Sequence, residues 1–286
     1  MSAGRATIVS GQPQTGGSED IAAIVRAARA SDQVADLTEI FASLQGEGVV
    51  AGQVHLFLRF AGCDLRCVYC DTPGSLSLDG VSRGVRIGGG LLAEPMRREP
   101  NPLSFERLLE IAEDIGEKLG FRPLVALTGG EPLLRVPFLE RLIPELKRRG
   151  FQVLLETAGT RAPELERIVS DLDWVSMDLK LPSVAREGDR FDQHEAFLRV
   201  AHGAGRRIQV KVVIGPELDL EELERAVSLV AGIDTSLPFI LQPEFKTLKA
   251  SDPNHQALLR RALAICRAHL EDVRVLPQLH KYLGLL

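Results

Sequence analysis

Cysteine is scarce in this chain, four in 286 residues, far too few to staple a fold of this length with disulfides. Three of the four, Cys63, Cys67 and Cys70, fall within eight positions, and thiols clustered in this way in a reducing compartment point to a metal. Apolar runs approaching the roughly 20 residues that cross a bilayer are missing. Met1 to Asp36 also lacks a basic stretch followed by an apolar one, so no secretory leader is expected and the location reads as cytoplasmic. Positive charge is not in excess: 34 Lys and Arg stand against 39 Asp and Glu, for a net charge of -5. That balance argues against a surface built for nucleic-acid phosphates and favours a small-molecule partner. What is present is ordinary globular composition, 45% hydrophobic and 26% charged, which can bury a sizeable core.

The length allows two domains, or a single α/β barrel of about 200 to 250 residues. Residues 1–36 read as an N-terminal extension, a Gly-, Ser- and Gln-rich head followed by a helical stretch near Ile21 to Ala30. From Val54 onward, short β-branched or apolar runs alternate with amphipathic segments. Strands are expected at Val54 to Phe60, Leu124 to Leu127, Gln152 to Leu155, Trp174 to Met177, Ile208 to Ile214, Phe239 to Leu241 and Val273 to Leu276. Helices are expected from Ser104 to Lys118, then over about Pro137 to Arg149, Pro163 to Ser170, Gln193 to Ala201, Leu220 to Ala231 and Asn254 to Leu270. Strict β-then-α alternation implies parallel strands, as a doubly wound sheet or a barrel. Between Thr72 and Pro102, with Gly88, Gly89 and Gly90, there is no convincing period; an inserted mobile loop at about 73–102 is expected.

The chemically distinctive residues follow the strands: Cys63 to Asp71, then Thr128-Gly129-Gly130-Glu131-Pro132, Glu156-Thr157, Asp178 and Lys180, and Gln242-Pro243. The C-terminal ends of parallel strands are where such folds place active sites. Thiolates bind iron-sulfur clusters or zinc, usually through four protein ligands. Here three are available, because Cys266 sits within an expected amphipathic helix as a core thiol. A cubane on three cysteines leaves one iron open to chelate a ligand; a zinc site completed by His55 is the rival. In the Gly-Gly-Glu turn, glycines admit a ligand to the backbone and a carboxylate can accept from an ammonium group. Lys211 is placed equally well inside a barrel or on its rim. His194, His202 and His255 on helices, and the pairs Arg97-Arg98 and Arg148-Arg149, read as solvated.

With both motifs in view, the chain resembles the radical S-adenosylmethionine enzymes, whose Cys-x3-Cys-x2-Cys loop holds a [4Fe-4S] cluster and whose Gly-Gly-Glu segment holds the methionine amino group. Glu39 to Gly48 (Glu-Ile-Phe-Ala-Ser-Leu-Gln-Gly-Glu-Gly), Phe57 to Cys63, Cys70-Asp71-Thr72 and Leu276-Pro277-Gln278-Leu279-His280-Lys281 further resemble the 7-carboxy-7-deazaguanine synthase family, from about residue 37 to the end. The resemblance implies an α/β fold with parallel strands, a partial or modified (β/α) barrel. It implies a lyase that turns 6-carboxy-5,6,7,8-tetrahydropterin into 7-carboxy-7-deazaguanine and ammonia, for queuosine and other 7-deazapurines. In such enzymes a 5′-deoxyadenosyl radical takes a hydrogen from the pterin and the ring contracts.

Carried over, the resemblance implies that Cys63, Cys67 and Cys70 ligate the cluster and that Tyr69, Asp71, Gly130, Glu131, Asp178, Lys180 and Gln242 surround S-adenosylmethionine. Thr72 would offer its hydroxyl to Mg2+, which favours oxygen ligands. Leu44, Gln45 and Gly46 would meet the pterin, Arg59 its carboxylate, and Thr128, Glu156, His280 and Leu286 would close the pocket. By residue type alone, Arg59 could instead pair with a buried carboxylate and Glu156 could cap a helix. A homodimer and an electron donor such as flavodoxin or ferredoxin are further implications. The chain departs from the family pattern at Asp64 (commonly Asn), Tyr69 (commonly Trp) and Asp178-Leu179-Lys180 (frequently Ser-Pro-Lys). A radical activase of a partner protein, or an iron-sulfur electron carrier or zinc-binding module without catalysis, are the alternatives; the Gln-Gly-Glu-Gly and Pro-Gln-Leu-His segments speak against the first and the Gly-Gly-Glu turn against the second.

Overall fold

The computed structural model describes residues 31–78, 83–92, 94–245 and 253–285. The expected helical stretch near Ile21 to Ala30 and the terminal Leu286 lie outside the described residues. All seven expected strands form, as β3 (Val54–Phe60), β7 (Leu124–Gly129), β8 (Val153–Thr157), β9 (Trp174–Asp178), β10 (Arg207–Ile214), β11 (Phe239–Pro243) and β12 (Val273–Val275). They pair in that order and every pairing is parallel. Helices cross between them, as parallel neighbours require. The first, Phe105–Leu119, begins where the Ser104 hydroxyl accepts from Arg107 N at 3.2 Å and ends at Gly120, whose φ of 76° suits a left-handed cap.

Two departures from the sequence reading extend the sheet beyond β3. Leu37–Leu44 is a strand, β2, antiparallel to β3. The stretch expected to be a loop supplies β4 (Val85–Gly90), parallel to β2, and β5 (Arg97–Glu99), antiparallel to β4. Glycines there signal close approach rather than looseness: at Gly90, with φ of 63°, a Cβ would stand 2.1 Å from the Ala42 carbonyl oxygen. Near the start, β1 (Val34–Ala35) pairs with β6 (Leu103–Ser104). Among the described residues the main sheet thus has ten strands, with β12 and β5 at its edges, and does not close into a barrel. The stretch expected as one helix from Pro163 divides into a helix over Ala162–Glu166 and a 3-10 turn over Val169–Asp171.

Side chains alternate across a strand, and this divides the sheet. Leu56, Leu58 and Phe60, with Val125, Leu127, Val153, Leu155, Val175 and Met177, pack with the helices into the main core, where Cys266 is also buried as expected. The other face carries an apolar rung in register, Phe41, Phe57, Ala126, Leu154 and Trp174, with the rings of Phe41 and Phe57 stacked at 4.9 Å. Two residues further along each strand the rung is polar: Glu39, Arg59, Thr128, Glu156 and Ser176. That rung forms the floor of a cavity of about 800 Å3.

Candidate active site

The cysteine loop leaves the end of β3 and is clamped by the turn after β7. Gly130 N donates to Phe60 O at 3.0 Å, Glu131 N to Gly62 O at 2.8 Å, and Gly62 N to Ser75 O at 2.8 Å. A Cβ on Gly130 would lie 2.0 Å from Gly62 O and 2.8 Å from Ser75 O, so only glycine allows the two loops to meet. Cys63, Cys67 and Cys70 all line the cavity, beside Thr72, whose Oγ1 is 3.9 Å from Cys70 Sγ. Burial pushes the Cys63 and Cys67 thiols above their ordinary pKa, Glu131 adding to the effect at Cys63 and Asp178 to that at Cys67. Thiols held neutral in this way become thiolates when a metal takes the proton's place.

Among the described residues no three His, Cys, Asp or Glu side chains gather as ligands of one metal ion. His55, buried within β3, does not line the cavity that holds the three cysteines. A cubane on three cysteines asks for one thiolate on each of three irons, and three thiols that line one cavity suit that donor set.

Glu131 does not line the cavity. Its carboxylate, fully buried, accepts from Leu133 N at 3.0 Å, Ala158 N at 2.9 Å and Thr157 Oγ1 at 2.9 Å. Burial, reinforced by Asp64, raises its pKa to about 7 against those three donors. In this structure it anchors the end of β8 under the cysteine loop, while Gly129 and Gly130 are the part of the motif on the cavity wall.

On the polar rung, Gln45 Nε2 donates to Glu156 Oε1 at 2.6 Å, and the Gln45 carbonyl side-chain oxygen accepts from Glu47 N at 3.1 Å. Burial, with the Glu47 charge nearby, raises the Glu156 carboxyl, and a Thr128 hydrogen bond opposes it. Arg59 has Glu39 as its carboxylate partner, Nε to Oε2 at 3.1 Å, and lines the same cavity. Arg59 thus makes the ion pair and also faces the cavity. Leu44, Gln45 and Gly46 form the adjoining wall, where Gly46 leaves room for His280: a Cβ there would be 1.8 Å from the His280 Nδ1.

A string of alternating charges links the two ends of the cavity. Lys180 Nζ pairs with Asp178 Oδ2 at 2.7 Å and lies 5.2 Å from the Tyr69 ring centroid. Lys211 Nζ is 3.3 Å from the same Asp178 oxygen and also pairs with Glu47. Glu47 Oε1 accepts from Gln278 at 2.7 Å and from Gln242 at 3.3 Å; Gln278 also donates to Asp71 at 2.8 Å, and Lys281 pairs with Asp71 at 3.0 Å. Burial alone would raise the Asp71 carboxyl, but Lys281 and Gln278 hold it at about 2. Asp178 Oδ1 and Gln242 Oε1 are buried without a hydrogen-bond partner among the described residues, and both residues line the cavity.

Of the residues expected here, all but two line this one cavity; the exceptions are Glu131 and Leu286, the latter outside the described residues. The sequence reading assigned no role to Glu47 or Gln278, although both sit in quoted motifs. It left Lys211 open, though a lysine inside Gln209-Val210-Lys211-Val212-Val213 is itself a signal that an acid must face it. His194 and His255 are buried rather than solvated, while His202 is exposed. His194 bridges two loops, taking Lys180 N at 3.1 Å and pairing through Nδ1 with Gly159 O at 2.9 Å.

Comparison with known proteins follows the same lines. The profile of the Radical SAM superfamily matches residues 58–230. A 7-carboxy-7-deazaguanine synthase of Geobacter sulfurreducens is 34% identical over 262 residues, covering 87% of this chain and 97% of that protein. One of Methanopyrus kandleri is 36% identical over 251 residues, covering 85% and 91%. Among solved structures, QueE from Escherichia coli is similar in fold, with a TM-score of 0.54 at 24% identity over 90% of this chain and 98% of that one. Streptococcus suis SuiB bound to S-adenosylmethionine gives 0.51 at 14% identity over 77% and 51%.

Proposed function

We propose that this chain, which belongs to the Radical SAM superfamily and within it to the 7-carboxy-7-deazaguanine synthases, is a carbon-nitrogen lyase that converts 6-carboxy-5,6,7,8-tetrahydropterin into 7-carboxy-7-deazaguanine and ammonia. The observation that carries the reading is convergence: three thiols, a Gln45–Glu156 hydrogen-bonding pair and a guanidinium from Arg59 share one cavity of about 800 Å3. That volume is in the range of small-molecule sites.

Cys63, Cys67 and Cys70 would hold a [4Fe-4S] cluster. Together with S-adenosylmethionine, such a cluster would supply a radical able to abstract hydrogen. The residues of the chain bind and orient. Glu156 and Gln45 suit the ring N–H and amino groups of a pterin, and Arg59 suits its carboxylate. Thr72 would contribute an oxygen to Mg2+, the pterin carboxylate completing the shell. The unpartnered oxygens of Asp178 and Gln242 suit donors on the cofactor, its ammonium and ribose hydroxyls, while Tyr69, Lys180 and Asp71 complete that wall. His280, Lys281 and Leu285 line the same cavity. A flavodoxin or ferredoxin as reductant, a homodimer and a cytoplasmic setting in the queuosine route belong to the same reading; among the described residues no helix is long and apolar enough to cross a membrane.

The test is an anaerobic assay of iron- and sulfide-reconstituted protein with dithionite, S-adenosylmethionine, Mg2+ and the carboxypterin, following the deazaguanine by mass. Product that disappears in Cys67→Ala is expected. Formation of 5′-deoxyadenosine without the deazaguanine would leave radical chemistry standing and reject the substrate.

A further inference from the structure

The polar rung continues past the site into the inserted strands. Glu39 on β2 is in register with Arg59 on β3 and with Arg86 on β4, and Arg86 is in register with Arg98 on β5. All four line the cavity. Residues in one rung stand about 5 Å apart at Cβ, close enough for one carboxylate to serve two neighbours. Glu39 does so: Oε2 takes Arg59 Nε at 3.1 Å, and Oε1 takes Arg86. Arg98, at the outer edge, donates to the backbone carbonyls of Arg83 and Gly84 at 3.1 and 3.3 Å.

Two guanidiniums share the Glu39 carboxylate, and Glu156, Asp71 and Glu47 also act on Arg59 across the cavity. Glu39 is nearly buried, with a side-chain exposure of 12%, and Arg59 is at 17%; Arg86 reaches outward at 42%. One arginine suffices to pair with Glu39; the second, Arg86, brings further N–H donors to the same cavity. Arg59 spends its Nε on Glu39, so its Nη groups remain for a ligand, and planar guanidiniums match a carboxylate in two-point geometry.

We infer that Arg86, supplied by the insert, is a second carboxylate-binding residue, and that Arg59, Glu39 and Arg86 together form a receptor that selects carboxylated over neutral ligands. The substrate class rests on the function proposed above. Glu39 acts as the positioning residue that sets both guanidiniums side by side.

Equilibrium binding to the reconstituted protein tests this, with 7-carboxy-7-deazaguanine and its neutral 7-carboxamide as probes. Arg86→Gln should weaken the carboxylate about tenfold, one charge-assisted contact, and leave the carboxamide within about twofold; Arg86→Lys should recover part of the loss. In turnover the same variant should raise KM about tenfold with kcat nearly kept, the pattern for contacts equal in ground and transition states. Unchanged carboxamide binding doubles as the control for folding. Wild-type protein that prefers the carboxylate, with Arg86→Gln keeping the whole preference, overturns the inference and leaves the functional reading intact. Wild-type protein that binds neither probe rejects both.

Discussion

Gln278 donates its side-chain amide to Glu47 at 2.7 Å and, through the same nitrogen, to Asp71 at 2.8 Å. One neutral side chain thereby joins two carboxylates that would otherwise repel, and it ties the C-terminal segment to both ends of the cavity. Leu279 N adds a bond to Gly46 O at 2.9 Å. Gln278→Leu removes hydrogen bonds to charged groups, each worth about 1.5 to 3 kcal/mol. Faster hydrogen exchange over Leu279 to Leu285 and a several-fold higher KM for the pterin are expected, with the core strands protected as before. Exchange that stays at the wild-type rate in that segment would show that the latch is not needed.

Lys211 is the cation shared by Glu47 and Asp178, with side-chain exposures of 12%, 20% and 17% respectively. Burial alone would raise the Glu47 carboxyl, and Lys211 brings it below its ordinary range. Removing one partner of a buried pair costs about 3 to 5 kcal/mol; with these exposures the lower end applies to Lys211→Met. Adding Glu47→Gln should restore part of that stability, since the carboxylate left unpaired is then gone. Urea unfolding of the two single variants and the double variant measures the coupling, and strictly additive losses would contradict the pairing.

The sequence made the parallel half of the sheet legible because each of its strands is an apolar, β-branched run bounded by a polar loop, as in Ile208 to Ile214. It also placed the cysteines and the Gly-Gly-Glu turn, whose spacing is local. What it could not show was register. Glu39, Arg59 and Arg86 are distant in the chain and become neighbours only because β2 lies between β3 and β4. Gly88 to Gly90 read as loop for a similar reason: their strand is held by pairing with β2, not by side chains with β propensity. His194 reads as solvated because a histidine on a helix more often faces water, whereas its ring is consumed by Lys180 N and Gly159 O.

That histidine should make stability depend on pH. Burial lowers the His194 pKa from 6.5 to about 4, only partly offset by the Gly159 bond, and burial does the same to His55. A group whose folded pKa is depressed contributes stability above its unfolded pKa and loses it as pH falls through the folded one. The loss therefore runs from about pH 6.5 down to about 4, on the order of 3 kcal/mol for each ring. His194→Asn should be less stable near neutrality yet show a shallower decline on acidification than wild type, with His55 still contributing in the same direction and the raised Glu131 carboxyl opposing it in both proteins. Unfolding free energies across that range that fall as steeply as in wild type would rule out His194 as a source.

Two glycines at the cavity make opposite demands on their surroundings, and alanine separates them. At Gly130 the added Cβ meets backbone, Gly62 O at 2.0 Å and Ser75 O at 2.8 Å, and neither can move without displacing the cysteine loop that follows Gly62. At Gly46 the nearest atoms are in the His280 ring, 1.8 Å to Nδ1, with His280 N at 2.9 Å; that ring can swing aside, and the segment bearing it can shift. Overpacking against well-packed atoms costs about 1 to 3 kcal/mol, but where the strain is released decides what is lost. Gly130→Ala should lower iron content and the visible absorbance of reconstituted protein, because the thiols are displaced. Gly46→Ala should keep full iron content and lose affinity for the pterin, because only the cover over that wall moves. Equal iron contents in the two variants would mean that the Gly130 contact does not set the position of the thiols.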